Sequence, residues 1–167
     1  MNGRIYNVLF LRTGNSARSI LAEAPIEHWG QGRFKVYSAG SFPRGRVNPL
    51  AIDLMASLHL PTQRLRSKSG NEFARPGAPV MDFVFTVCDQ AAGEVCRSGR
   101  ETRLPRIGAS PIRRAVEGTE ITRRNAFRDA FRALENRIKL FTSLPLDKLD
   151  RMAIKREVDQ IGRSNTK

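Results

Sequence analysis

One stretch limits the choice of fold more than any other. The apolar run Val8-Leu9-Phe10-Leu11 passes into Arg12-Thr13-Gly14-Asn15-Ser16-Ala17-Arg18-Ser19 and then into a helical pattern. A short apolar segment, a loop of small polar residues and a helix in that order read as strand, tight turn and helix N-terminus. That arrangement gathers free backbone N–H groups at the positive end of a helix dipole, which favours an anion. Arg18 adds a planar fork of donors suited to a tetrahedral oxyanion. An ordinary strand-to-helix turn fits these residues equally well.

The rest of the chain alternates in the same way. Ile5 to Leu11 reads as a buried strand. A helix starts at Ser16 or its neighbours, with Ile20, Leu21, Ala24 and Trp29 roughly on one face and Pro25 absorbed as a kink or in the first turns. Phe34, Val36 and Tyr37 mark a second strand ending in Ser38-Ala39-Gly40. Asn48-Pro49 is a capping residue followed by proline at the first helical position, with Ala51, Leu54, Met55 and Leu58 facing inward and Pro61 as terminator. Residues 62–79 are polar loop with one short helix around Glu72. Val80 to Val87 is nearly continuous in apolar residues, as a central parallel strand is. From Thr119, which with Glu120 or Thr122 caps the start, Phe127, Phe131, Leu134, Ile138 and Phe141 recur at helical spacing. A last helix is expected over about 146–161, with Leu149, Met152, Ala153 and Val158 inward and Gly162 as its stop. Alternating strands and helices predict an open parallel sheet with helices on both faces, and a ligand beyond the carboxyl ends of the strands.

Composition narrows the class of function. A length of 167 residues with 40% hydrophobic content fits one domain over 1–167, its core about 5–142. No apolar run approaches the ~18 residues of a membrane span, and no signal peptide opens the chain, so a cytoplasmic protein without a membrane partner is expected. Cys88 and Cys96 are too few for a disulfide scaffold, and His28 and His59 fit no zinc spacing, so no metal is expected. The formal charge of +13 suggests nucleic acid at first. Residues 97–114 carry six arginines against Glu101 alone, however, and the remaining excess has no aromatic platform or basic helix, so no nucleic-acid partner is expected.

The 12–19 stretch resembles the phosphate loop of low-molecular-weight tyrosine phosphatases and of the arsenate reductases that share their fold. Its pattern is Cys, five residues, Arg, then Ser or Thr. Every position matches except the first, where this chain has Arg12. The resemblance implies a three-layer α/β/α domain with a four-stranded parallel sheet in the order 2-1-3-4, the fourth strand near Arg106 to Ala109. It further implies that Thr13, Gly14, Asn15, Ser16 and Ala17 supply backbone donors, that Gly14 permits the tight turn, and that Asn15 braces the loop. Arg18 then clamps the oxyanion and Ser19 hydrogen-bonds the group at position 12. In the family a thiolate at that position attacks phosphorus or arsenic. A guanidinium is no nucleophile, so covalent catalysis at Arg12 is not expected.

Cys88 alone reads as a small buried residue at a strand end. With Cys96 the segment resembles the redox segment of thioredoxin-coupled arsenate reductases, in which the first cysteine attacks the cysteine–arsenic adduct and the second closes a disulfide. The resemblance therefore implies arsenate reduction to arsenite in arsenic detoxification. It adds no bound cofactor, thioredoxin or glutathione with glutaredoxin as external reductant, arsenate or phosphate as ligand, and a monomer. A low-molecular-weight protein-tyrosine phosphatase, and a non-catalytic oxyanion-binding protein or decayed gene product, are the alternatives.

Residues 97–114 depart furthest from the family, which has a Pro-rich stretch, His-Trp-Gly, and Asp-Pro-Ala. A permitted set of codons for Cys96 to Arg114, read from the last base of the first codon, gives Pro-Phe-Trp-Pro-Gly-Asp-Pro-Ala-Ala-Pro-His-Trp-Gly-Ile-Pro-Asp-Pro-Ala. The hypothesis is a base lost near Cys96 and one gained near Arg114; codons incompatible with that reading in the gene would refute it. Arg12 is likewise one base from cysteine, and Gly70 one base from tryptophan.

Overall fold

The computed structural model describes residues 3–12, 14–86 and 118–163. Strand β1 (Tyr6–Leu11) lies between two parallel neighbours, β2 (Phe34–Ala39) and β3 (Phe83–Thr86), so the sheet order is β2-β1-β3. The register pairs Leu11 with Ala39 and with Thr86, which aligns the carboxyl ends of all three strands. The chain runs from β1 to one side and then crosses to the other, so the loop after β1 sits where the strand order reverses. The order matches the first three strands of the expected four. The segment expected to form the fourth lies outside the described residues.

Strand β3 is shorter than the expected 80–87. Asp82 takes the Asn7 N–H on its carboxylate at 2.8 Å and gives its own N–H to the Asn7 carbonyl at 2.9 Å, which fixes where pairing begins. Val80, ahead of this clamp, is 77% exposed, and Val87 lies outside the described residues.

The described residues hold four α-helices: α1 (Arg18–Gly30) between β1 and β2, α2 (Pro49–Ser57) between β2 and β3, and α3 (Glu120–Thr142) and α4 (Arg151–Arg163) after β3. Strand alternation sends Val8, Phe10 and Phe85 to one face, where they share a single core with Leu21 and Ile26 of α1, Leu54 and Met55 of α2, Phe131 and Phe141 of α3, and Val158 and Ile161 of α4. Leu9, Leu11 and Ala39 form a separate cluster on the other face, against Tyr37, Phe73, Met81 and Val84. Among the described residues, all four helices thus meet on one side. The expected helical layer on the second face is represented there only by the 3-10 turn Gly70–Phe73.

The caps explain the helix bounds. Asn48 accepts the Leu50 N–H at 2.9 Å ahead of Pro49, and Thr119 accepts the Thr122 N–H at 3.3 Å. The five-residue apolar stripe expected in α3 is buried throughout. Three expectations need correction. Trp29 is 39% exposed rather than inward: its ring lies under Lys139 Nζ at 4.3 Å and its N–H donates to Glu135. Helix α2 stops at Ser57, before Pro61, where His59 turns left-handed at φ 56°. Helix α4 begins at Arg151, after Asp150 accepts the Ala153 N–H, and runs through Gly162; Leu146 is buried in the preceding loop and Met152 is 70% exposed.

Candidate oxyanion site

Residue 12 is the last to join the sheet: the Arg12 N–H donates to the Ala39 carbonyl at 3.0 Å. Its side chain is half-buried. The turn beyond it is held from two sides. Gly14 O accepts the Arg44 N–H at 3.0 Å, and Ser16 O accepts the Asn48 N–H at 2.7 Å. The left-handed residue of this turn is Asn15, at φ 38°, a conformation that Asn tolerates better than other non-glycine residues. Helix α1 then starts with the Leu21 N–H on Ala17 O at 2.8 Å. Ala17 has no side-chain acceptor, so it gives the first turn of α1 no side-chain cap. The first N–H groups of α1 and the helix dipole face the turn.

Asn15 is fully buried and holds the loop through its side chain. Nδ2 donates to Ser19 Oγ at 3.0 Å and to Ser38 Oγ at 2.8 Å, while Oδ1 accepts the Lys68 N–H at 2.7 Å. Both amide protons are spent, so Ser19 is an acceptor here and keeps its own hydroxyl proton to give. Arg18 and Ser19 are both buried beside the turn. The structure therefore brings together Arg12, Gly14, Asn15, Ser16, Ala17, Arg18 and Ser19. Thr13, Cys88 and Cys96 lie outside the described residues, as does the segment 97–114.

Behind the turn is a charged pair. Lys68 Nζ lies 3.4 Å from Glu23 Oε1, 3.5 Å from Ser38 Oγ and 3.3 Å from the Arg66 carbonyl, and both charged side chains are largely buried. Burial raises the Glu23 carboxyl above its ordinary value, against the opposing pull of the Lys68 charge and hydrogen bonds from Ser38 and Lys68. Ser38, Glu23 and Lys68 were not foreseen from sequence. Ser38 had a usable signal, a small polar residue at the carboxyl end of the strand beside β1. Lys68 had none, because its role depends on a loop folding back over 53 positions.

Residues 7–109 match the family described as low molecular weight phosphotyrosine protein phosphatase, which is more than half of the chain. The chain belongs to that family. Within it, the chain is 31% identical over 134 residues to an arsenate reductase of Shouchella clausii, covering 80% of this chain and 93% of that protein. The fold is shared with solved structures. The tyrosine phosphatase Wzb from Escherichia coli in complex with sulphate matches with a TM-score of 0.65 at 19% identity, over 83% of this chain and 96% of that one. A Corynebacterium glutamicum thioredoxin-dependent arsenate reductase matches with a TM-score of 0.59 at 20% identity, over 89% of this chain and 66% of that longer one. The low molecular weight phosphatase family thus accounts for the parallel sheet and the loop after β1. Among the described residues no helix is long and apolar enough to cross a membrane.

Proposed function

We propose that the turn from Arg12 to Ser19 is an oxyanion cradle of arsenate reductase descent, which holds arsenate or phosphate but carries out no covalent chemistry on it as the chain stands. One observation carries this reading. Arg12, the residue after β1, is tied by its N–H to the Ala39 carbonyl at 3.0 Å and so stands at the base of the turn, the position from which a nucleophile would act. Groups suited to an oxyanion surround it: the N-terminus of α1, which Ala17 does not cap through its side chain, the buried Arg18, and a Ser19 hydroxyl with a proton to donate. The chain's similarity to a curated arsenate reductase supports the reductase branch over the phosphatase branch.

The reductase reading gives Cys88 and Cys96 a use. With a thiolate at position 12, that sulfur would displace water from arsenate. Cys88 would attack the sulfur, two electrons would pass to arsenic, and arsenite would leave. Cys96 would then move the disulfide to the Cys88–Cys96 pair, for an external dithiol such as thioredoxin, or glutathione with glutaredoxin, to reduce. Arg12 removes the first member of this relay. The shifted reading of residues 97–114 belongs to the same proposal, since it would restore the family's Asp-Pro-Ala, and sequencing the gene decides it.

Titration with orthophosphate and arsenate, followed through the backbone amide signals of residues 14–20, tests the cradle. Saturable shifts confined to these amides are expected. Their absence at millimolar anion would sink the reading.

A further inference from the structure

A cavity of about 310 Å³ lies between α1 and the segment 61–65, and its lining carries charges of both signs. Helix α1 supplies Glu23 and Glu27, one turn apart on the same face, with Ala24 beside them. The segment after α2 supplies Gln63, Arg64 and Leu65. That segment is anchored: Leu60 and Leu65 pack on the main core to either side of Gln63 and Arg64, and the Leu65 N–H donates to the Thr62 carbonyl at 3.2 Å. The cavity is thus bounded by a helix and by a turn held at both ends.

Its charges are not matched to one another. Burial first, and then the nearby Glu27 charge, raise the Glu23 carboxyl, while Lys68 at 3.4 Å opposes them. Glu27 itself forms no ion pair with any described residue, and neither does Arg64, although the two line the same cavity and both are exposed. Carboxylates at i and i+4 repel, and an ammonium group placed between them relieves both. Arg64 offers a planar fork suited to a carboxylate, and the Gln63 amide can donate beside it. A simple cation would meet Arg64, and a simple anion would meet Glu23 and Glu27. A ligand that carries both charges satisfies both sides. Ala24 and Leu65 add apolar surface, which suits an aliphatic side chain.

We infer that this cavity binds a free α-amino acid with an aliphatic side chain. The ammonium group lies between Glu23 and Glu27, the carboxylate meets Arg64 and Gln63, and the side chain covers Ala24 and Leu65. This site is independent of the cradle and stands whether or not the cradle takes an anion.

Chemical-shift titration of the full chain tests it, read at the backbone amides of Glu23, Glu27, Gln63 and Arg64. The probes are L-leucine, leucinamide, which keeps the ammonium and loses the carboxylate, and N-acetyl-leucine, which keeps the carboxylate and loses the ammonium. Leucine is expected to saturate these shifts within about 10 mM, and each analogue to bind about tenfold more weakly. Arg64→Gln should weaken leucine about tenfold and leave leucinamide within about twofold of its parent affinity. Glu27→Gln should likewise weaken leucine and spare N-acetyl-leucine. Both positions are exposed, and the analogue series on the parent chain stands without either variant. Leucinamide or N-acetyl-leucine binding as tightly as leucine overturns the inference. Undiminished leucine binding by the double variant Glu27→Gln/Arg64→Gln overturns it as well, since the ligand then sits elsewhere, and so does the absence of saturable shifts.

Discussion

Lys68 gives its backbone N–H to the side-chain oxygen of Asn15 at 2.7 Å, and this bond sets the orientation of the Asn15 amide in the turn after β1. Because it identifies which end of the Asn15 amide carries the oxygen, the other end must donate, to Ser19 and Ser38. Asn15→Ala loses these three buried bonds and places a Cβ-bearing residue with no local hydrogen bonds at φ 38°. A destabilisation of about 3 kcal/mol in urea is expected, from roughly 1 kcal/mol per bond plus the left-handed strain, less some repair by water. Asn15→Gly removes the bonds but not the tolerance of positive φ, and should recover about 1 kcal/mol of that loss. Equal effects of the two variants would remove the strain argument.

The charge behind Asn15 predicts a dependence on pH. Burial already raises the Glu23 carboxyl, and Lys68 opposes it. Lys68→Met removes that opposition and leaves a largely buried carboxylate unpaired, at a cost of about 3–5 kcal/mol near neutrality. A group with a raised folded-state pKa contributes its stability below the unfolded value and loses it as pH rises through the folded value. The gap between the parent chain and Lys68→Met should therefore narrow as pH falls through the raised Glu23 titration towards the ordinary carboxylate range. Melting temperatures across that interval measure it. A gap that stays constant would mean Glu23 is not the source of the penalty.

Packing at the end of α1 gives a sharper test of the core. A Cβ on Gly30 would stand 2.6 Å from Phe34 Cδ2, closer than such atoms approach. The Phe34 ring cannot easily withdraw, because it packs on Tyr6 at 6.0 Å and Phe141 at 5.4 Å between ring centres. Gly30→Ala should cost about 1–3 kcal/mol by denaturant unfolding. Adding Phe34→Leu to Gly30→Ala should cost less than Phe34→Leu does in the parent, since the smaller side chain relieves the clash. Additive costs would contradict the clash.

Some of this architecture was legible in the amino-acid order, and the reason is locality. Asn48-Pro49 and Thr119 are caps whose partners lie two or three residues away, so the sequence carries both halves of each interaction. Phe127 to Phe141 repeat at the helical period, which identifies the buried face of α3 without knowledge of what covers it. Trp29 and Met152 show the limit: each sits on a helical stripe, but the edge of a stripe is decided by the neighbouring helix. Trp29 ends beside Lys139 of α3, and Met152 points to solvent. In the site, the turn itself and Arg18 were readable because strand, loop and helix are contiguous. Lys68 and Arg44 were not, since the N–H of each reaches the turn across a long stretch of sequence, to Asn15 Oδ1 and to Gly14 O, and no local pattern corresponds to either bond.

We propose that position 12 lacks a nucleophile in a cradle otherwise fit for an oxyanion. The most direct test is aryl phosphate turnover, comparing the chain as it stands with Arg12→Cys. An aryl phosphate whose phenolate leaves as a stable anion places the least demand on a general acid, so the altered 97–114 segment weighs least on the result. The parent should release no phenolate above the uncatalysed rate while still binding orthophosphate. Arg12→Cys should give a burst of phenolate approaching one equivalent as the thiolate takes the phosphoryl group, whatever the rate at which water then clears it. Turnover by the parent chain, or an Arg12→Cys variant that binds orthophosphate and yet gives no burst, would contradict the claim.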